Sequence, residues 1–317
     1  MTAWLTGRLA SLGTRCGFTI GCLAVRLLPR PWLFRLADWL ASIGFSWFKG
    51  FRSRSARNIA AAFGAACDNA AVERIARRSL RNFFRDCVEI GVVLESSDEE
   101  LRAQVPIIGR EHLDAALRKG AGVLLLSAHL GNFFLLGTRL AVDGYSTFVL
   151  VNQPRDGHFA EVMDKYRLKI KQRTIHARPR QEALKQLHEV LRRNEIAVMI
   201  ADEYRRGSGI MVPLFGGTVN ARRGPATLAL RTGAAVVPAC VIRQADDTLK
   251  LIIEPELELD RSARSKAEIA ENTLRMTQWL ERTVRKYPDQ WNWMNIRWWK
   301  TSFGEPVAQE QRLSRAS

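Results

Sequence analysis

Several things are scarce in this 317-residue sequence, and each scarcity removes a class of explanation. Cysteine is the first: five residues, Cys16, Cys22, Cys67, Cys87 and Cys240, are odd in number, widely spaced and without metal-type pairing. That pattern argues against a disulfide framework and implies no metal site and no cofactor held by thiolates, so reduced thiols in a cytoplasmic compartment are expected. Long apolar runs are also missing. Arg15 and Arg26 bound an uncharged stretch of only ten residues, and Arg35 and Asp38 separate the later runs, whereas a membrane-spanning helix needs roughly 20 apolar residues. No small-x-small cleavage site follows the first apolar stretch, so the N-terminal segment is expected to remain on the chain. Nucleotide-binding glycine loops, a serine nucleophile elbow and a paired cysteine motif are absent as well, which leaves lipase-like chemistry remote. No repeat of fixed period and no low-complexity linker divides the chain.

Acidic residues are outnumbered 32 to 48 by Lys and Arg, giving a net charge of +16 and pointing to an anionic partner. Its distribution narrows the choice. Residues 1–60 carry nine cations, Arg8, Arg15, Arg26, Arg30, Arg35, Lys49, Arg52, Arg54 and Arg57, against Asp38 alone. They are interleaved with Gly17–Val25, Trp32–Phe34 and Trp39–Phe48, a mixture that suits interfacial helices lying on an anionic bilayer. With no recognition module in sight, nucleic acid is not the expected partner.

From Ser53 to Leu94 apolar residues recur at helical spacing, with Arg and Glu on the other face, notably over Asn58–Phe63 and Ala71–Val93. From about Val105 short apolar runs alternate with amphipathic stretches, the signature of a sheet packed by helices. Strands are predicted at Pro106–Ile108, Gly122–Ser127, Ser146–Val151, Ile196–Ala201, Ala235–Val241 and Leu249–Glu254. Helices are predicted at Glu111–Lys119, Asn132–Val142, His158–Lys171, Gln181–Arg193, Pro225–Thr232 and Ala267–Tyr287, with Gly233 as a helix stop. The expected architecture is α/β: a mixed central sheet flanked by helices, with an N-terminal membrane-associating helical section. Residues 1–95 form that section, 96–305 the catalytic domain and 306–317 a flexible tail.

The run Gly122–Gly137 reads as a buried strand, a histidine at a Gly-Asn turn, and an apolar helix start. His129 is thereby placed at the carboxyl end of a strand, where α/β sheets commonly bind ligands, and near a helix N-terminus that would hold its imidazole neutral as a base. A hydrogen-bonded structural histidine is the alternative on local context alone.

Ile107–Asp114 followed by Gly122–Gly137 resembles the lipid A biosynthesis lauroyl/myristoyl acyltransferase family, relatives of the lysophospholipid acyltransferases. The resemblance continues in order through Val212–Gly216, Arg231–Pro238, Leu251–Pro255 and Pro288–Trp293, and covers roughly residues 25 to 303. It implies a membrane-associated acyltransferase on the cytoplasmic face of a bacterial inner membrane. The donor would be an acyl carrier protein or acyl-CoA thioester, and the acceptor a hydroxyl of a lipid A precursor or a related glycolipid or lipid. The resemblance implies a carboxylate five positions after the histidine; a hydrophobic tunnel for the acyl chain beside His129, open to the N-terminal helices, is predicted by the enzyme reading and equally by a non-catalytic lipid-binding protein.

Here Phe134 stands where that carboxylate is expected. Three accounts stay open: another acid approaches in space, with Asp202 the matching position and Glu203 beside it; a backbone carbonyl fixes the tautomer; or the chain is a catalytically impaired lipid-binding protein. Arg167 is the best match to the family's basic site residue, with an electrostatic role toward phosphate or oxyanion. Asn132, Glu203, Arg205 and Arg222 are the remaining candidate binding residues, the arginines beside Gly207, Gly209, Gly216 and Gly217, where turns explain the glycines equally well. The run Trp291–Lys300 packs four tryptophans beside two cations, a composition favoured at membrane interfaces, although core packing accounts for some of them. The resemblance places a His at the position of Asn295 and an Arg at that of Ile296, so the acceptor need not be the family's default.

Overall fold

The computed structural model describes residues 21, 23–152, 157–204, 209–262, 265–294 and 296–300. The expected features in residues 1–20 and 306–317 lie outside the described residues. After a helical stretch at residues 23–27 come α1 (Arg30–Trp47), α2 (Lys49–Phe63) and α3 (Asn69–Glu95). Helix α1 buries Leu33, Ala37, Ala41 and Phe45, a stripe at helical spacing that packs on α3. Its other face leaves Trp32, Trp39 and Trp47 exposed. Asp38 ties the two helices together by accepting from Arg81 and Arg85 of α3.

Helix α3 starts on a side-chain cap, Asp68 accepting from the Ala71 N–H at 2.6 Å. Its second half departs from the expected amphipathic pattern, because Arg85, Asp86 and Glu89 are buried rather than solvated. Each is paired: Arg85 with Asp38 and Asp247, Asp86 and Glu89 with Arg243. Charges enter the interior when partners offset the desolvation cost. Helical periodicity counts apolar positions and is blind to such partners.

After α4 (Asp98–Gln104) the chain enters a seven-stranded sheet. Its strands are β1 (Ile107–Ile108), β2 (Val123–Ser127), β3 (Thr147–Val151), β4 (Arg173–His176), β5 (Ile196–Ile200), β8 (Ala235–Arg243) and β9 (Leu249–Ile253), in spatial order β1-β9-β8-β2-β5-β3-β4. Strands β8, β2, β5, β3 and β4 are parallel; β9 pairs antiparallel with β8 and carries β1 parallel to itself, so the sheet is mixed as expected. All five residues of β2 and all nine of β8 are buried, as in a sheet covered on both faces. Period two divides them between two cores. Leu124 and Leu126 pack with α1–α3 and with α8 (Arg180–Arg192), α9 (Gly224–Thr232) and α10 (Lys266–Lys286). Val123 and Leu125 pack with α4, α5 (Arg110–Leu117) and α6 (Leu135–Val142). The N-terminal helices therefore share a core with the sheet.

The six predicted strands are present, but β4 and a second sheet were not anticipated. In that sheet β10 (Trp298–Lys300) pairs with β7 (Gly217–Ala221), which forms a hairpin with β6 (Ile210–Leu214). The connecting Phe215 and Gly216 both take positive φ, 51° and 77°, as a two-residue hairpin turn requires. Phe215 tolerates this because its ring is buried against Phe63, Trp291 and Trp293. Gly216 thus serves the turn, and Gly217 is the first residue of β7. Helix α7 (Gly157–Lys169) packs on β4 at the far edge.

Helix α6 begins at Leu135, three residues later than predicted, because Gly131 turns the chain with φ +57°. A Cβ there would sit 2.0 Å from the Val241 carbonyl oxygen, and only glycine accepts both constraints. Gly131→Ala is expected to lower unfolding free energy by more than about 2 kcal/mol, read by urea titration. Unchanged stability would show that the turn can be rebuilt.

Candidate active site

The site follows from strand register. Strands β2 and β5 pair in parallel from Val123↔Ile196 to Ser127↔Ile200. The ladder runs one step further, with the Ala201 N–H donating to the Ser127 carbonyl at 2.9 Å. Two residues past the last named pair, the same register sets His129 beside Asp202. Both leave the carboxyl edge of the sheet at its middle, where parallel sheets open a crevice. The contact is made: His129 Nδ1 lies 2.7 Å from Asp202 Oδ1. Asp202 Oδ2 accepts from the His129 backbone N–H at 2.9 Å and from the Trp291 indole N–H at 2.8 Å.

The Asp202 side chain is 1% exposed and that of His129 21%. Burial works against both charges. For His129 burial alone would depress the pKa, but the Asp202 charge and hydrogen bond, helped by the Glu203 charge, hold the imidazole above the ordinary histidine value. For Asp202 burial would raise the pKa; the imidazole charge and hydrogen bond, the Trp291 N–H and the His129 backbone N–H keep it below the usual carboxylate range. An ionised Asp202 can only accept, so the proton sits on Nδ1 and the Nε2 lone pair faces outward. This corrects the expectation that a helix N-terminus holds the imidazole neutral by depressing its pKa. Helix α6 starts six residues downstream, beyond the first-turn reach of its dipole, and a carboxylate stands in direct contact.

Below the histidine loop, Asn132 is fully enclosed. Its backbone N–H donates to Val241 O and its side-chain amide to Glu89 Oε2 at 3.0 Å. Glu89 and Asp86 in turn hold the Arg243 guanidinium at 2.7–2.8 Å. Burial pushes Asp86 up to about 7 despite the Arg243 charge. Breaking such a buried pair costs about 3–5 kcal/mol, so the base of the loop is rigid. Above it, residues 290–292 form a strap. Gly131 N donates to Gln290 O, Asn292 N donates to His129 O at 3.0 Å, and Leu130 bridges Trp291. The expectation of an interfacial tryptophan cluster is met by a different role for two members: Trp291 and Trp293 are core residues.

Phe134 does not leave a hole where the carboxylate was expected. Its ring stacks on Phe133, with centroids 4.1 Å apart, and Phe133 meets the imidazole edge-on at 4.9 Å. Glu203 borders the dyad, accepting from Asn152 at 3.2 Å and lying 3.6 Å from Arg222, which is half exposed. Arg167 pairs with Asp164 within α7 at 2.9 Å, and no hydrogen bond or ion pair joins it to His129 or Asp202 among the described residues. Arg205 lies outside the described residues. Among the described residues no three His, Cys, Asp or Glu side chains converge as metal ligands. The cavity that touches Asp202, lined also by Tyr204, Arg222 and Trp279, measures about 20 Å³, room for about one water.

A histidine whose free nitrogen faces outward and whose other nitrogen is held by a buried carboxylate can take a proton from a bound hydroxyl. Comparison with known proteins supplies the chemistry around it. Residues 12–301 match the family model for bacterial lipid A biosynthesis acyltransferases. The chain belongs to that family. It is accordingly an acyltransferase. A phosphatidylinositol mannoside acyltransferase of Mycolicibacterium smegmatis is 26% identical over 303 residues, covering 93% of this chain and 95% of the relative. One from Mycobacterium tuberculosis is 33% identical over 135 residues, 41% of this chain and 42% of the relative.

Within the acyltransferase fold, Trp291, Arg243, Asp86, Glu89 and Gln290 were missed as parts of the site. The one available signal was the fragment Pro288–Trp293, whose tryptophans read by composition as interfacial. Asp202→Asn is expected to lower kcat by roughly 10²–10⁴-fold with KM little changed, by analogy with the Asp→Asn replacement in serine proteases. Removing the charge also lowers the imidazole pKa, so the acid limb of the pH–rate profile should move to lower pH. Wild-type turnover in this variant would remove Asp202 from the site.

Proposed function

We propose that the chain works at a membrane surface, moving a fatty acyl group from an acyl carrier protein or CoA thioester to a hydroxyl of an anionic glycolipid. The observation that carries the reading is the 2.7 Å contact between His129 and Asp202, with Nε2 making no hydrogen bond among the described residues. In this mechanism Nε2 takes the acceptor hydroxyl proton as that oxygen attacks the thioester carbonyl. The tetrahedral intermediate then expels the thiolate, which receives the proton from the imidazolium, so ester and free thiol leave together. Asp202 keeps the ring in the required tautomer and stabilises its transient positive charge. Arg222, beside Glu203 at the rim, is the described cation best situated for an acceptor phosphate, with Arg205 a further candidate. Arg167, engaged by Asp164, has no assigned step.

Several features support the surface and the acceptor class. The curated relatives are named for a mannosylated phospholipid, which favours a phosphate-bearing glycolipid, with a lipid A precursor as the other member of that class. Helix α1 turns Trp32, Trp39 and Trp47 outward, and Arg35 lies over the Trp32 ring at 5.1 Å, a composition suited to an anionic interface. No described helix is long and apolar enough to cross a membrane. The cytoplasmic face of an inner membrane fits a donor carried on a cytoplasmic thioester. A purely lipid-binding member is disfavoured because the dyad geometry is complete without a residue-134 carboxylate.

Purified protein given labelled acyl-CoA or acyl carrier protein thioester and vesicles containing anionic glycolipid should transfer label, and His129→Ala should reduce the rate by at least roughly 10³-fold. Transfer undiminished in that variant would sink the mechanism. Phe134→Glu should give no gain, since Asp202 already occupies Nδ1; a rise of tenfold or more would mean that the dyad lacks an acid.

A further inference from the structure

Asp202 shares its oxygens unequally. Oδ1 serves the imidazole, while Oδ2 takes two donors, the His129 backbone N–H and the Trp291 indole. The first belongs to the histidine loop, but the indole is delivered from a distant part of the chain. Its position is over-determined. Besides the strap's bonds to Gly131 and His129, the Ser79 hydroxyl donates to Trp291 O at 2.8 Å and the Asn82 amide to Asp289 O at 2.9 Å. Gln290 both accepts from Arg243 N–H and donates to Arg243 O. Helix α3, strand β8 and the histidine loop thus all hold the strap, and the indole N–H points at one oxygen of a carboxylate that is itself 1% exposed. Packing alone needs a ring there and no donor.

We propose that Trp291 is a positioning residue of the dyad: its indole N–H fixes Asp202 so that Oδ1 meets His129 Nδ1, and it moderates the basicity of the imidazole. The inference rests on the acyl-transfer reading for its consequence in catalysis, but not for its geometry. A donor to a carboxylate stabilises the anion more when the neighbouring imidazole is neutral than when an imidazolium already compensates the charge. Trp291 therefore favours the neutral, base-competent ring. Without it the imidazolium gains relative weight and the ring titrates at higher pH. The other ionisable groups near the pair are Glu203, whose charge raises the His129 pKa, Arg222 beside Glu203, and Tyr204 and Cys240, which burial keeps in their neutral forms. None of them contacts the indole N–H.

The test is a ¹⁵N NMR titration of the imidazoles in full-length protein, assigned with His129→Ala. In Trp291→Phe the His129 midpoint should rise by about half to one pH unit, and kcat should fall about tenfold with KM nearly unchanged. Trp293→Phe is the control, since the Trp293 indole donates to Pro288 O at 2.7 Å, away from the dyad; its His129 midpoint should stay put. A midpoint in Trp291→Phe that is unchanged, or that falls, overturns the proposal. If that variant does not fold, the wild type still decides: one of the nine tryptophan N–H resonances should follow the His129 midpoint, and none doing so overturns it. The titration needs no substrate. A shifted midpoint in a protein that transfers no acyl group would refute the acyl-transfer reading and keep Trp291; transfer with an unshifted midpoint would do the reverse.

Discussion

The parallel pairing of β2 with β5 is the constraint on which the site depends. Its register sets His129 opposite Asp202, and a slip of one residue in either strand would point one of the two side chains to the other face. Everything around the pair works to keep that register and the turn beyond it. The strands are buried on both faces, Gly131 turns against β8, and Arg243, Asp86, Glu89 and Asn132 fill the space below with paired charge. The N-terminal helices join this support through α3, which supplies Asp86 and Glu89 to the base of the loop and Ser79 and Asn82 to the strap. The helical section and the catalytic sheet are therefore mechanically one unit, although their compositions differ.

Within this arrangement Phe134 ceases to be a defect. Asp202 reaches the imidazole through the sheet rather than from the turn that follows the histidine. Only one acid can occupy Nδ1. With that place taken, position 134 is free to be apolar, and its ring joins Phe133 in an aromatic wall beside the imidazole.

The sheet's inner strands were legible because uninterrupted apolar runs such as Val123–Leu126 and Ala235–Val241 have few other uses, and Gly233 marked the end of the helix before β8. Strands β4, β7 and β10 were not, since each is a short segment of mixed polarity, and β6, although apolar, is five residues long and interrupted by Pro213. Asp202 could be named as one candidate acid, but choosing it required the strand order, which places β5 next to β2 across more than seventy residues of chain. Trp291 shows the opposite limit. Its composition pointed outward to a membrane, whereas its indole N–H points inward to a carboxylate, and no local pattern separates the two. The buried charges of α3 were hidden for the same reason, because Arg243 and Asp247, which make them tolerable, lie some 160 residues away.

The central claim is that His129 and Asp202 act as one unit. A double-mutant cycle of His129→Gln and Asp202→Asn on kcat/KM for acyl transfer tests it most directly. The account predicts strong non-additivity, with the double variant no slower than His129→Gln alone, because an aspartate without an imidazole has nothing to orient. Additive losses, each variant slowing the reaction by the same factor whether or not the other is present, would contradict it.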